Sequence, residues 1–170
     1  MKRLILTALF FLFGLNYISA QDCPLCGEWT VTYGINVGEV VANRLHVLIR
    51  KAGDKYYVNV KTMRILETGG EDPNYWHDCT VTQSNEYSIS WESLSHILTE
   101  DDFDEDERVN GKRIYSAYCF FVCSATVENG VLHFTRRIRC DYEGRDGNSI
   151  GYWWSSGTEK HDMFKDMNNW

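Results

Sequence analysis

Apolar and polar residues alternate with a period of two along most of this chain, while the spacing of a long amphipathic helix is almost absent, so the pattern predicts strands joined by turns. From Gly27 to Tyr33, residues Trp29, Val31 and Tyr33 share one face and Glu28, Thr30 and Thr32 the other. Leu45, Val47 and Ile49 then alternate with Arg44, His46 and Arg50 ahead of Gly53-Asp54, a two-residue turn with glycine first. Pairing Ala52 with Lys55 sets Ile49 opposite Val58 and Val47 opposite Val60, so apolar meets apolar. Two shorter strands, Tyr75 to Thr82 and Tyr87 to Glu92, flank the turn-prone Gln83-Ser84-Asn85.

The strongest local signal is Asn129-Gly130, a dipeptide suited to a type I′ turn, between Arg113 to Glu128 and Val131 to Cys140. If Glu128 pairs with Val131, one face carries Val127 with Leu132, Ala125 with Phe134, Cys123 with Arg136, Phe121 with Ile138 and Cys119 with Cys140. Those two cysteines fall at a non-hydrogen-bonded site, where strands approach closely enough for a disulfide, so Cys119–Cys140 is the expected bridge. The opposite face is more polar, as a one-sided sheet requires.

A last strand runs from Ser149 to Ser156. After it, Met163, Phe164, Met167 and Trp170 fall on one side of a short helix over Thr158 to Trp170, expected to dock on the outside of the sheet. The count is about eight strands in sequential order. The fold expected is all-β: a single antiparallel up-and-down barrel, because closure removes exposed edges, with a two-sheet sandwich as the alternative.

Lys2 and Arg3, an apolar run from Leu4 to Leu15 and Ile18-Ser19-Ala20 have the layout of a secretory signal peptide over residues 1–20, cleaved near Ala20. Residues 21–170 then form one domain, secreted or periplasmic, and no second apolar stretch is long enough to span a membrane as a helix. Beyond the leader stand fifteen basic and twenty-four acidic residues, a net charge of −9 that disfavours nucleic acid as a partner. Six cysteines in an exported chain point to disulfides rather than thiol chemistry, and the pairing of Cys23, Cys26, Cys79 and Cys123 stays open.

Gly27-Glu28-Trp29 at the start of the first strand resembles the Gly-x-Trp signature of calycins, the lipocalin-like and streptavidin-like barrels, and Cys140-Asp141-Tyr142 resembles their Thr-Asp-Tyr loop motif. The arginine that lipocalins stack on that tryptophan after the last strand has no counterpart between Gly157 and Trp170. The resemblance implies a cup-shaped interior that binds a small, largely apolar molecule, with Trp29 closing one end; an anionic ligand is the alternative that Arg136 raises.

Within such a barrel the candidate ligand contacts are Trp29, Arg136, Phe134 and Tyr56. Arg136 stands out because the register places a guanidinium on the apolar face, where it needs an anionic partner: a ligand carboxylate, or an internal Asp or Glu. Cys23-Pro24-Leu25-Cys26 lies before a strand rather than at a helix amino terminus, which favours a structural disulfide over redox chemistry. Zinc held by that pair with His77 and Cys79 is disfavoured by export. The acidic run Glu100 to Glu107 lacks the glycine and terminal glutamate of a calcium loop and reads as a solvated, self-repelling connection. No cofactor, metal or catalytic motif is indicated. Two other functions remain open: a protein- or glycan-interaction module with exposed aromatics around Tyr152, Trp153 and Trp154, and a carboxylate-based hydrolase.

Overall fold

A computed structural model describes residues 23–72 and 75–166. The expected leader, residues 1–20, therefore lies outside the described residues, as do residues 21–22, 73–74 and 167–170. Among the described residues twelve strands follow one another: β1 Gly27–Val37, β2 Val40–Ala52, β3 Lys55–Leu66, β4 Glu71–Asp72, β5 His77–Ser84, β6 Ser88–Thr99, β7 Arg108–Val109, β8 Lys112–Arg113, β9 Ser116–Glu128, β10 Val131–Glu143, β11 Ser149–Trp154 and β12 Glu159–Lys165. Eight of them, β1, β2, β3, β5, β6, β9, β10 and β12, pair antiparallel in that order, and β12 returns to β1. The sheet therefore closes on itself as a barrel instead of splitting into two stacked layers.

The two hairpins follow the arithmetic of their turns. Ala52 pairs with Lys55, Ile49 with Val58 and Val47 with Val60. Glu128 pairs with Val131, and the same ladder runs through thirteen residue pairs to Glu143 and Ser116, passing Cys123 with Arg136 and Cys119 with Cys140. Asn129 and Gly130 take φ of 51° and 79°, the left-handed pair a type I′ turn demands. A disulfide joins Cys119 to Cys140 and another joins Cys23 to Cys26, while Cys79 and Cys123 are free. Two disulfides fit an oxidising, extracellular setting.

Where a terminal helix is expected, Glu159–Lys165 is a strand, and Met167 and Trp170 of the expected stripe lie outside the described residues. It pairs with Val131–Arg136 of β10 on one side and with Trp29 and Thr30 of β1 on the other. Met163 faces Leu132 in the core and Phe164 points out, so the apolar pair straddles the wall rather than forming a helical stripe. Ring closure supplies hydrogen bonds on both edges that a docked helix would leave unmade on β1 and β10. Cys140-Asp141-Tyr142 is likewise not a loop but the upper part of β10, which pairs with β11 over Arg139–Glu143 once β12 has ended.

The acidic run is also more ordered than its charge suggests. Glu100–Asp102 forms a 3-10 turn capped by Thr99 and Asp102, and β7–β8 follows as a small hairpin. Arg113 bridges Glu100 at 2.8 Å, Arg108 donates to the carbonyls of Glu105 and Glu107, and Phe103 packs edge-on against Tyr142. Basic side chains and one aromatic anchor offset the repulsion. The excursion returns to β11, where the Asn110 amide donates to the Ile150 carbonyl at 2.8 Å, and Ile114 and Ile150 are buried.

The main core lies inside the barrel and is built from Trp29, Leu45, Val47, Ile49, Val58, Ile89, Trp91, Leu132, Phe134 and Met163. Among the described residues no helix is long and apolar enough to cross a membrane.

Candidate functional site

At the end of the barrel that holds the Gly53, Asn85 and Asn129 turns, the chain seals itself. The Cys23–Cys26 disulfide ties a tight turn, with the Cys26 N–H donating to the Cys23 carbonyl, and this directs Leu25 into the core with no exposure. The Trp29 indole N–H donates to the Leu25 carbonyl at 2.8 Å, so the wholly buried ring has its one polar atom satisfied. The Lys165 ammonium lies 5.0 Å from the Trp29 ring centroid. A cation from the last strand thus covers this tryptophan, although it is a lysine within β12 rather than an arginine after it.

Toward the opposite end the interior turns polar. Arg136 projects inward from β10 with its side chain only 13% exposed, and its guanidinium bonds Glu159 at 2.5 Å and the Tyr33 hydroxyl at 3.3 Å. It also lies 4.5 Å from the Phe121 ring centroid. Burial works to lower the Arg136 pKa, but Tyr33 and Glu159 outweigh it, so the group is held above its ordinary value and stays charged. The anionic partner is therefore an internal glutamate. Glu159 is itself half exposed, which connects the cluster to solvent.

Beside this pair an aromatic row crosses the barrel. Trp91 packs on Phe134 at 5.8 Å, Phe134 stacks with His161 at 6.3 Å, and His161 stacks on Tyr33 at 4.6 Å. Two polar atoms in this row, Trp91 Nε1 and His161 Nε2, are buried with no hydrogen-bond partner among the described residues. The nearest anion to the latter is Glu159, at 3.7 Å. Such orphans are uncommon in folded interiors and cost free energy where they occur.

The four anticipated contacts thus separate. Arg136 and Phe134 belong to one cluster. Trp29 belongs to the sealed end, and Tyr56 lines a cleft of about 420 Å³ in the barrel wall, together with Cys79 and Val81. Tyr33, Trp91, Glu159 and His161 were not anticipated. Reading 159–165 as a strand would have found two of them, because Glu159, His161 and Met163 then share the face of Arg136, Phe134 and Leu132.

Burial pushes the Cys123 thiol up to about 12 and the Cys79 thiol up to about 11, so neither is a nucleophile near neutral pH. No group of three or more His, Cys, Asp or Glu side chains among the described residues converges on a metal position. Tyr152, Trp153 and Trp154 do not make one patch: Tyr152 and Trp153 are exposed on opposite faces of β11, while Trp154 is held by Arg137 at 5.0 Å. No family model, no curated protein and no solved structure matches this chain.

Proposed function

We propose that this is an exported, lipocalin-like carrier that takes one small, largely apolar molecule with a hydrogen-bonding or anionic end into the polar half of its barrel. Residues 1–20 act as the cleaved leader and residues 21–170 as one binding domain. The observation that carries this reading is the row from Trp91 to Tyr33, where two buried nitrogens lack partners beside a charged Arg136. A ligand oxygen offers an acceptor to the Trp91 N–H, and its apolar body lies against the partly buried Phe121. The sealed end under Trp29 and the capping Lys165 support the same reading, since they leave the polar half as the end for entry.

The test uses cis-parinaric acid, a fluorescent chain with one carboxylate. Saturable one-to-one binding is expected, with Arg136→Met weakening it about tenfold, the loss of roughly 1.4 kcal/mol of a single polar contact. Absence of saturable binding, together with native mass spectrometry showing only the polypeptide mass, overturns the proposal.

A further inference from the structure

The wall of the barrel is not uniformly closed. β3 and β5 pair over only three residues, Val58 with Cys79, Asn59 with Asp78 and Val60 with His77. Below that point Tyr57 and Tyr56 pair with Arg50 and Lys51 of β2, while Val81 pairs with Trp91 of β6, and the seam between the two strands parts into the cleft of about 420 Å³.

On the outer side of the seam three planar polar groups stand in one row. Arg50 donates to the Asn59 side-chain carbonyl at 2.6 Å, and the Asn59 amide donates to the Asp78 carboxylate. Asn59 is only 8% exposed, so this row is anchored in the wall rather than waving in solvent. Each member keeps unused capacity: Arg50 has further N–H donors, Asn59 a second amide hydrogen, and Asp78 further lone pairs. Tyr57 stands half exposed beside them.

We infer that the β3–β5 cleft is a binding site for a neutral pyranose sugar, distinct from the interior site. Vicinal hydroxyls each donate and accept, and Arg50, Asn59 and Asp78 present donors and acceptors side by side in fixed planes. A pyranose carries an apolar C–H face that packs on an aromatic ring, and Tyr57 supplies one. The charges of Arg50 and Asp78 balance, so the cleft favours a neutral ligand, and Asp78 together with the acidic surface disfavours an anion. The volume lies in the range of small-molecule sites. A second hollow of about 350 Å³ shares Tyr56 and runs past Lys51 toward Asn85 and Glu86, giving room for a second ring.

The full oxidised protein is titrated with maltose, lactose, mannobiose and N,N′-diacetylchitobiose, followed by saturation-transfer NMR. At least one binds saturably with a dissociation constant of about 1 mM or tighter. Tyr57→Ala and Asp78→Asn each weaken it by about tenfold or more, whereas Arg136→Met leaves it unchanged. Sialyllactose binds more weakly than lactose. The inference is overturned if none of the four transfers saturation, or if binding survives both cleft variants while circular dichroism shows them folded. Because cis-parinaric acid reports the interior and the disaccharides report the seam, either site fails without the other.

Discussion

Gly151 holds the backbone of β11 at φ 150°, and a Cβ there would lie 2.6 Å from Val109 Cγ1 and 3.0 Å from Asn110 Nδ2. Asn110 spends that same amide on the Ile150 carbonyl at 2.8 Å, so the hairpin of the acidic excursion is clamped to β11 through a residue that must have no side chain. Gly151→Ala is expected to destabilise the protein by about 1 to 3 kcal/mol, through strained backbone and a displaced hairpin, read as a lower urea midpoint with an unchanged slope. An unshifted midpoint would show the hairpin to be loosely held. This requirement is invisible in the sequence, where Gly151 is one more glycine in a strand, because the clash comes from a residue more than forty positions away. Arg136 is the opposite case. Its inward placement is legible from the turn register, but its partner Glu159 is not, since Glu159 sits on a segment whose apolar spacing mimics a helix.

Among the elements, the register of the β9–β10 hairpin is legible, because the Asn-Gly pair allows one turn type and strand alternation does the rest; its outer ends are not, since β9 begins at Ser116 rather than Arg113 and β10 runs on past Cys140 to Glu143. The Cys119–Cys140 bridge closes the loop around this turn, with a sequence separation of 21. Replacing both cysteines by serine should cost about 3 kcal/mol, mainly by freeing the unfolded chain, and a denaturant titration under matched conditions measures it. A cost near zero would mean that the hairpin is already ordered in the unfolded ensemble. β12 was misread for a physical reason. Met163 and Phe164 stand next to each other, and adjacent apolar residues suit a helix face or a strand with both sides covered equally well. What decides is the pair of open edges on β1 and β10, and no local window contains them.

For the whole molecule, the two free thiols make stability depend on alkaline pH. The folded pKa of Cys123, about 12, lies above its ordinary 9.0, so the folded state keeps a proton that the unfolded chain has already lost. Stability from this group is complete below 9.0 and falls as the pH climbs toward 12. Between about pH 8 and about pH 10.5 the protein should lose on the order of 2 kcal/mol more than the Cys123→Ala variant does, measured as the difference in urea unfolding free energies. Equal losses would place the thiol in contact with water. The overall architecture was legible because period-two alternation and frequent turns leave few alternatives for a chain of this length. The interior cluster around Arg136 was legible only in part, since its members meet across the barrel from strands far apart in sequence.

Closure joins Trp29 and Thr30 to Lys165 and Phe164, so the first strand waits for the last. Until β12 has emerged, β1 therefore presents a bare row of amides and carbonyls along one edge. Rings of this type assemble late, and until the final segment arrives a neighbouring copy's strand is a competing mate. Production yield should accordingly hinge less on the robustness of the finished barrel than on how long nascent molecules are kept apart.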